Sequence, residues 1–288
     1  MDITIRPVTD ITGCEHFQKL EGTIWGAPLV DYVPTHIAIT VIKNGGMILG
    51  AYAGDGPAET GGMVGLAFWW LGAAHDPADP PGSPLRLKAC SHSVGVLPAW
   101  QGRGIGLRLK LAQRDAILAQ GLTDWMTWTY DPLYRPNAVF NIHRLGATCR
   151  TYDRNVYGAM QDALNAGLPS DRCTVDWRLR SPAILQDATR PRPTPGWDPA
   201  ALIVPPITNA PSGFAQPVDQ EIDLDGRPIA VPLPDDIAAL RRADVEQALA
   251  WRLYLRHALE NAFAAGYVMT DCVHWPQHGW RYILQPAE

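Results

Sequence analysis

The chain has little that would staple, anchor or target it. Its five cysteines, Cys14, Cys90, Cys149, Cys173 and Cys272, are far apart and odd in number. None stands in Cys-x-x-Cys spacing, which argues against a disulfide framework and a structural zinc site. Long hydrophobic runs are missing too. The longest, Met63 to Leu71, is far too short to cross a bilayer. The opening MDITIRPVTD lacks a basic region followed by an apolar one, so no signal peptide is expected. Basic character is scarce: 24 Lys+Arg against 29 Asp+Glu leave a net charge of −5, and there is no basic run. That disfavours a nucleic-acid partner. Together these absences predict a reduced, cytoplasmic protein with no nucleic-acid or membrane partner and no metal.

What is present is apolar and stiff. Hydrophobic residues make up 47% of the 288-residue chain, enough for a sizeable core. Proline and glycine number 26 each, which predicts long, stiff loops rather than disorder.

One stretch organises the rest: Ser91 to Gln120, SHSVGVLPAWQGRGIGLRLKLAQRDAILAQ. Ser91 to Leu97 reads as a β-run ending at Pro98, and Gln101 to Gly106 as a glycine-rich turn. Leu107 to Gln120 reads as a helix with Leu107, Leu111, Ile117 and Leu118 in its apolar set. Arg108, Lys110, Gln113, Arg114 and Asp115 take its polar positions. A strand passing through a glycine turn into a helix N-terminus suits anionic phosphates, because the first helical N–H groups lack partners and carry the positive dipole end. Gly102, Gly104 and Gly106 do not match G-x-G-x-x-G, and Leu107-Arg108 do not complete a P-loop.

Val96-Leu97-Pro98 followed by Gln101-Gly102-Arg103-Gly104-Ile105-Gly106 resembles the acyl-CoA loop of the GNAT acyltransferase superfamily, Q/R-x-x-G-x-G/A after a strand ending Val-x-Pro. The resemblance covers about Ile3 to Arg180. It is most specific over Val94 to Gly106 and Asp131 to Gly146, and the block WTYDPLYRPNAVFNIHRLGA is similar to a branch carrying a C-terminal extension. It implies an α+β fold of α/β/α-type layering, with a mixed, mostly antiparallel central sheet flanked by helices. It also implies acetyl-CoA or another acyl-CoA as co-substrate. The loop N–H groups would hold the pyrophosphate, and the strand carrying Val94, Gly95 and Val96 would splay from its neighbour and pair with the pantetheine. Arg103 is expected to help with phosphates, Gln101 to close the loop, and Asn137 either to bond pantetheine or to cap a helix.

Along the chain, strands are expected at Ile3–Arg6, His36–Lys43, Met47–Ala53, Met63–Leu71 and Leu85–Leu97, the second and third as a hairpin through Asn44-Gly45-Gly46. Asp10 or Thr12 is expected to cap a helix running to Trp25. Further strands fall at Thr123–Tyr130, Ala147–Tyr152 and Arg172–Leu179, with a short helix from Pro136 to Leu145 ended by Gly146. Residues 1–180 form the expected acyl-CoA domain, 181–220 a proline-rich arm, and 221–288 a C-terminal extension. In that extension an Asp-Gly hairpin spans Glu221 to Val231. One helix runs from the Pro234-Asp235-Asp236 start to Ala265, and two strands close it, an echo of the first domain's end that suggests a degenerate half-repeat.

In the GNAT mechanism an acceptor amine attacks the thioester directly while the enzyme orients it, takes its proton and stabilises the oxyanion. The run Lys88 to Val94 offers no Glu. His92, read as sharing strand parity with Val94 and Val96, is the candidate base or water relay; a core histidine bonded to the sheet is the alternative. Ile142 stands where many members carry a tyrosine, four residues before Gly146, so Tyr134 is the candidate donor to the leaving thiolate. His143 reads as a helix-surface residue and Asp131 as a turn residue. About half of Trp69, Trp70, Trp125 and Trp128 should line the acceptor side and the rest face the core. The expected activity is acyl-CoA-dependent N-acylation, acetyl or larger such as succinyl, of a small, amino-acid-like amine. A non-catalytic acyl-CoA-binding module and a protein N-terminus or lysine as acceptor are the alternatives, and a homodimer is left open.

Overall fold

In the computed structural model, which describes residues 2–26, 32–158, 167–181, 195–210 and 212–287, the chain divides into two units. The first holds residues up to Trp128 with Arg178–Ser181. The second holds Thr129–Trp177 and the described chain beyond residue 194. Much of the expected proline-rich arm, 182–194, and the stretch 27–31 lie outside the described residues.

Capping and alternation lay out the first unit. Strand β1 (Ile3–Pro7) leads to Asp10, whose side chain accepts the Gly13 N–H at 2.7 Å and starts helix α1 (Ile11–Trp25). Next come α2 (Thr35–Lys43), β2 (Met47–Ala53), β3 (Met63–Ala74), β4 (Arg86–Val96), α3 (Ile105–Gln120) and β5 (Trp125–Tyr130). The strands lie in the order β1-β2-β3-β4-β5, antiparallel except for the parallel step from β4 to β5. Helices flank this mostly antiparallel sheet, as the sequence resemblance implied. Phe17 of α1 packs edge-on to Phe68 of β3 at 5.6 Å. On the opposite face α3 brings Gln113 to the Ser91 hydroxyl at 3.2 Å. Met63 to Trp69 of β3 are all buried, as a nearly continuous apolar run requires of a central strand.

The segment expected as a strand at His36–Lys43 is helix α2 instead. Its Ile, Thr and Val residues favour strands by propensity, but propensity is a weak prior that packing overrides. Pro34 starts the helix and Ala38 is buried at its centre, with Ile39, Val41 and Ile42 against the first unit's core. Helix α3 departs from expectation in another way. Lys110, Gln113 and Arg114, assigned to its polar face, are buried.

The second unit contains α4 (Arg135–Ala138), which widens into a π-helical turn, Val139–Arg144, before Gly146. Strands β6 (Thr148–Asp153) and β7 (Arg172–Arg178) follow, then the small ribbon β8 (Ile207–Asn209) and β9 (Ala215–Pro217). Strand β10 (Ile229–Pro232), helices α5 (Ile237–Ala243) and α6 (Val245–Ala264), and strands β11 (Tyr267–Trp275) and β12 (Gly279–Pro286) complete it. Its strand order is β7-β6-β11-β12-β10. The single long C-terminal helix is two helices. Asp244 takes an extended conformation and its carboxylate accepts the Gln247 N–H at 2.9 Å, so it ends one helix and caps the next. The expected Glu221–Val231 hairpin is reduced to β10, because Asp225 folds back on the Arg227 N–H at 3.0 Å instead of turning two strands. Among the described residues no helix is long and apolar enough to cross a membrane.

One buried acid in this unit is held by a cation and a phenol. Asp171 accepts from Tyr152 at 2.7 Å and from Arg256 at 2.8 and 3.0 Å. Burial pushes its carboxyl up, but Arg256, Tyr152 and the Asn155 N–H outweigh that and hold it below the ordinary range. Asp171→Ala strands the guanidinium and is expected to cost about 3–5 kcal/mol in urea unfolding. In the wild type this contribution is fully present above about pH 4 and is lost as pH falls through the depressed pKa.

Candidate functional site

The glycine turn after β4 takes its shape from handedness. Gly102 and Gly104 have φ of 75° and 73°, the left-handed region that L-residues rarely adopt, and a Cβ on either would meet no atom within 4 Å. The first helical bond of α3 is the Arg108 N–H to Gly104 O at 3.1 Å. The N–H groups of Ile105, Gly106 and Leu107 precede it and lie at the open helix end. Gln101 Nε2 donates to Val96 O at 3.0 Å and closes the loop onto the strand. Arg103 donates to Ala99 O at 3.0 Å with its guanidinium 4.9 Å from the Trp100 ring centroid, and the residue stays exposed. This donor set suits a diphosphate.

Strand β4 leads into that loop half-paired. On the β3 side it is paired from Arg86 to Val96. On the β5 side only Ala89↔Met126 and Cys90↔Thr127 are paired, so residues 91–96, which include Val94, Gly95 and Val96, have no rung toward β5. The β3 pairing also slips: Trp69 faces Ser91 but Phe68 faces Ser93, leaving His92 as the extra residue of a β-bulge. The bulge overturns the parity expected for His92. Its ring lies 5.8 Å from Phe68 and 5.2 Å from Trp70, on the α1 and α2 face, whereas Val94 pairs with Ala67 on the α3 face. Ser93, paired with Phe68, shares the His92 face, and its Oγ is buried without a hydrogen-bond partner among the described residues.

His92 borders a pocket of about 400 Å³. Phe68, Trp70 and His92 form its sheet side; Tyr32, Val33 and Pro34 with Ile37 and Val41 of α2 form the other. His92 keeps an exposed edge, yet the apolar surround pushes its pKa below the ordinary value. The far wall is fixed from α1. Val33 N–H donates to Glu21 Oε2 and Gln18 Nε2 donates to Val33 O, both at 3.1 Å. Burial pushes the Glu21 carboxyl up to about 7 against the lowering effect of that N–H. The Tyr32 ring lies on bare backbone at Gly22, where a Cβ would come within 2.7 Å of its hydroxyl.

Behind β4, on the α3 face, Lys110 is buried with Nζ 3.0 Å from Ser91 Oγ and 3.4 Å from the Trp128 ring centroid. Ser91 Oγ donates to Gln113 Oε1, and Gln113 Nε2 has no partner among the described residues. Burial pushes the Lys110 pKa well down. Of the four tryptophans considered for the acceptor side, only Trp70 lines the pocket. Trp69 and Trp125 are core, and Trp128 carries Lys110.

Tyr134 and Asn137 lie in the second unit. Tyr134 is half-buried at the N-cap of α4, and Asn137 is exposed inside that helix, so Asn137 is no cap. Asp131 makes a turn to the Leu133 N–H at 2.8 Å, as expected, and also pairs with Arg252 at 2.6 Å. His143, read as a surface residue, bonds buried Asp271 at 2.8 Å. Sequence reasoning missed Tyr32, Ile37, Phe68, Lys110 and Gln113. The Phe68-x-Trp70 alternation was the readable signal for the pocket face.

No family model and no curated protein matches the chain. Solved structures resemble it. Arabidopsis thaliana NAA60 in complex with acetyl-CoA is 12% identical over 62% of this chain and 99% of its own, with a TM-score of 0.48. The ribosomal-protein-S18-alanine N-acetyltransferase of Escherichia coli is 14% identical over 62% of this chain and 96% of its own, at 0.44. A GCN5-related N-acetyltransferase from Kribbella flavida is 18% identical over 54% of this chain and 34% of its own, at 0.37. The second and third are named as N-acetyltransferases, and the third carries the name of the superfamily that the loop sequence resembles.

Gly104→Ala is expected to cost about 1–2 kcal/mol in urea unfolding, from backbone handedness alone. Lys110 gives a pH signature. A lysine whose pKa is depressed by folding binds fewer protons folded than unfolded, so wild-type stability should climb with pH up to about 10.4. Lys110→Met should flatten that rise in denaturation midpoints collected across the range.

Proposed function

We propose that the chain is an acyl-CoA-dependent N-acyltransferase acting on a small amine. The observation carrying this reading is β4 itself: unpaired toward β5 from residue 91 onward and running straight into the Gly102–Gly104 loop and the open end of α3. An extended pantetheine has amide groups to fill such an edge, and a diphosphate suits the N–H groups beyond it. In this reading Val94, Gly95 and Val96 receive the arm and one of their N–H groups faces the developing oxyanion. Gln101, Gly102, Arg103, Gly104, Ile105 and Gly106 form the phosphate cradle.

The amine enters beside His92. A neutral imidazole takes a proton from the ammonium, the freed lone pair attacks the thioester carbon, and a C–N bond forms as the C–S bond breaks. As the C–S bond breaks the nitrogen gives up its second proton and the thiolate takes one up to leave as free CoA, the donor role that the sequence resemblance suggests for Tyr134. A lowered His92 pKa keeps the ring unprotonated at neutral pH, the state a base needs. The transferred group is acetyl or a larger acyl. The rival reading, an acyl-CoA-binding module without turnover, draws on the lack of any carboxylate on β4, whose only titratable groups besides His92 are Cys90, Arg86 and Lys88.

Native mass spectrometry of the purified chain with CoA, NAD and ATP tests the ligand class: CoA retained and the other two not. His92→Ala is expected to lower kcat about 100-fold with acyl-CoA affinity unchanged. The wild-type rate should hold level from alkaline to neutral pH and fall only below the usual histidine range. Unchanged turnover in a His92→Ala, Tyr134→Phe double variant sinks the catalytic assignment.

A further inference from the structure

The pocket beside His92 is narrower in chemistry than in size. Its volume, about 400 Å³, suits a small molecule. Phe68 and Trp70 line one wall and Tyr32 another, with Val33, Ile37 and Val41 also in the lining. Among the described residues lining it, none is Lys, Arg, Asp or Glu. The nearby buried carboxyl, Glu21, holds the backbone of Val33. The N-terminus of α2 is the anion-friendly feature at the rim, and two of its N–H groups, those of Ile37 and Ala38, already donate to Pro34 O at 2.9 Å.

We infer that the acceptor is a primary amine on an aromatic body that carries no carboxylate, an arylalkylamine rather than an amino acid. This rests on the transferase reading above and sharpens it. A carboxylate placed against this lining would give up part of its hydration and meet no cation among the described lining residues, a cost the carboxylate-free amine avoids. The ammonium that precedes deprotonation is compatible with the same walls, since aromatic faces attract cations. Among the described lining residues, His92 is the group able to take the proton and pass it on to water. The amino-acid-like acceptor expected from sequence therefore has no partner for its second functional group.

The test compares phenethylamine with L-phenylalanine, which differ only by the carboxylate. Calorimetry on the full chain loaded with CoA reads binding, and thiol release from acetyl-CoA reads turnover. Phenethylamine is expected to bind at least about tenfold more tightly, and to turn over with a correspondingly higher kcat/KM. Ile37→Arg, at a half-exposed position on the pocket wall, should shrink that ratio by supplying the missing cation. Equal or tighter binding of phenylalanine, or binding of neither compound, overturns the inference. The binding preference without thiol release from any amine would leave the pocket's chemistry standing and remove the transferase reading. Thiol release confined to amino acids would do the reverse.

Discussion

Two parallel rungs, Ala89 with Met126 and Cys90 with Thr127, set the terms for the rest of the first unit. Past them β4 keeps its β3 partner and loses its β5 one. The residues that follow the last rung on each strand are Ser91 and Trp128, and Lys110 of α3 touches both. That buried side chain stands where the strands part. The bulge at His92 falls one residue further on, adding local twist and turning His92 to the opposite face from Lys110. One break in pairing thus yields an open edge, a histidine facing a pocket and a strand that ends at a helix N-terminus.

Ionisable groups are handled in two ways in this protein. In one, acids meet arginines: Asp131 with Arg252 and Asp171 with Arg256 in the second unit, Asp76 with Arg86 and Arg178 in the first. Such pairs fix geometry, and losing one partner is costly. In the other, desolvation shifts Glu21, His92 and Lys110 of the first unit toward neutrality. Groups shifted in this way cluster at sites more often than in structural cores. All three lie on or beside the elements that form the pocket and the separating strands.

Legibility in the sequence followed the range of the forces involved. The turn at Gly102 and Gly104 was readable because backbone handedness is a local demand that few residues meet. The central strand was readable because an unbroken apolar run has few other homes. Helix α2 was not, since Ile, Thr and Val speak for a strand and only packing against α1 and the sheet decides otherwise. The face of His92 was misread because parity assumes unbroken alternation, and a single inserted residue reverses it. Lys110 and Gln113 were assigned to solvent because a helical pattern presumes one wet side, and α3 has little of one. Asp244 was readable in principle: an aspartate three residues before a glutamine inside an alanine-rich stretch is a cap as well as an interruption.

The empty space around Gly102 and Gly104 has a stereochemical meaning. Most glycines that a fold cannot replace are needed because a neighbour leaves no room for a Cβ, and there any substituent fails. At these two positions nothing lies within 4 Å of where a Cβ would stand, while φ is positive at both. The loop therefore rejects L-residues for their chirality alone. A D-alanine introduced at either position by chemical synthesis would find its own preferred dihedrals already in place. It would also restrict the unfolded chain, a change that favours the folded loop over the glycine that nature can encode.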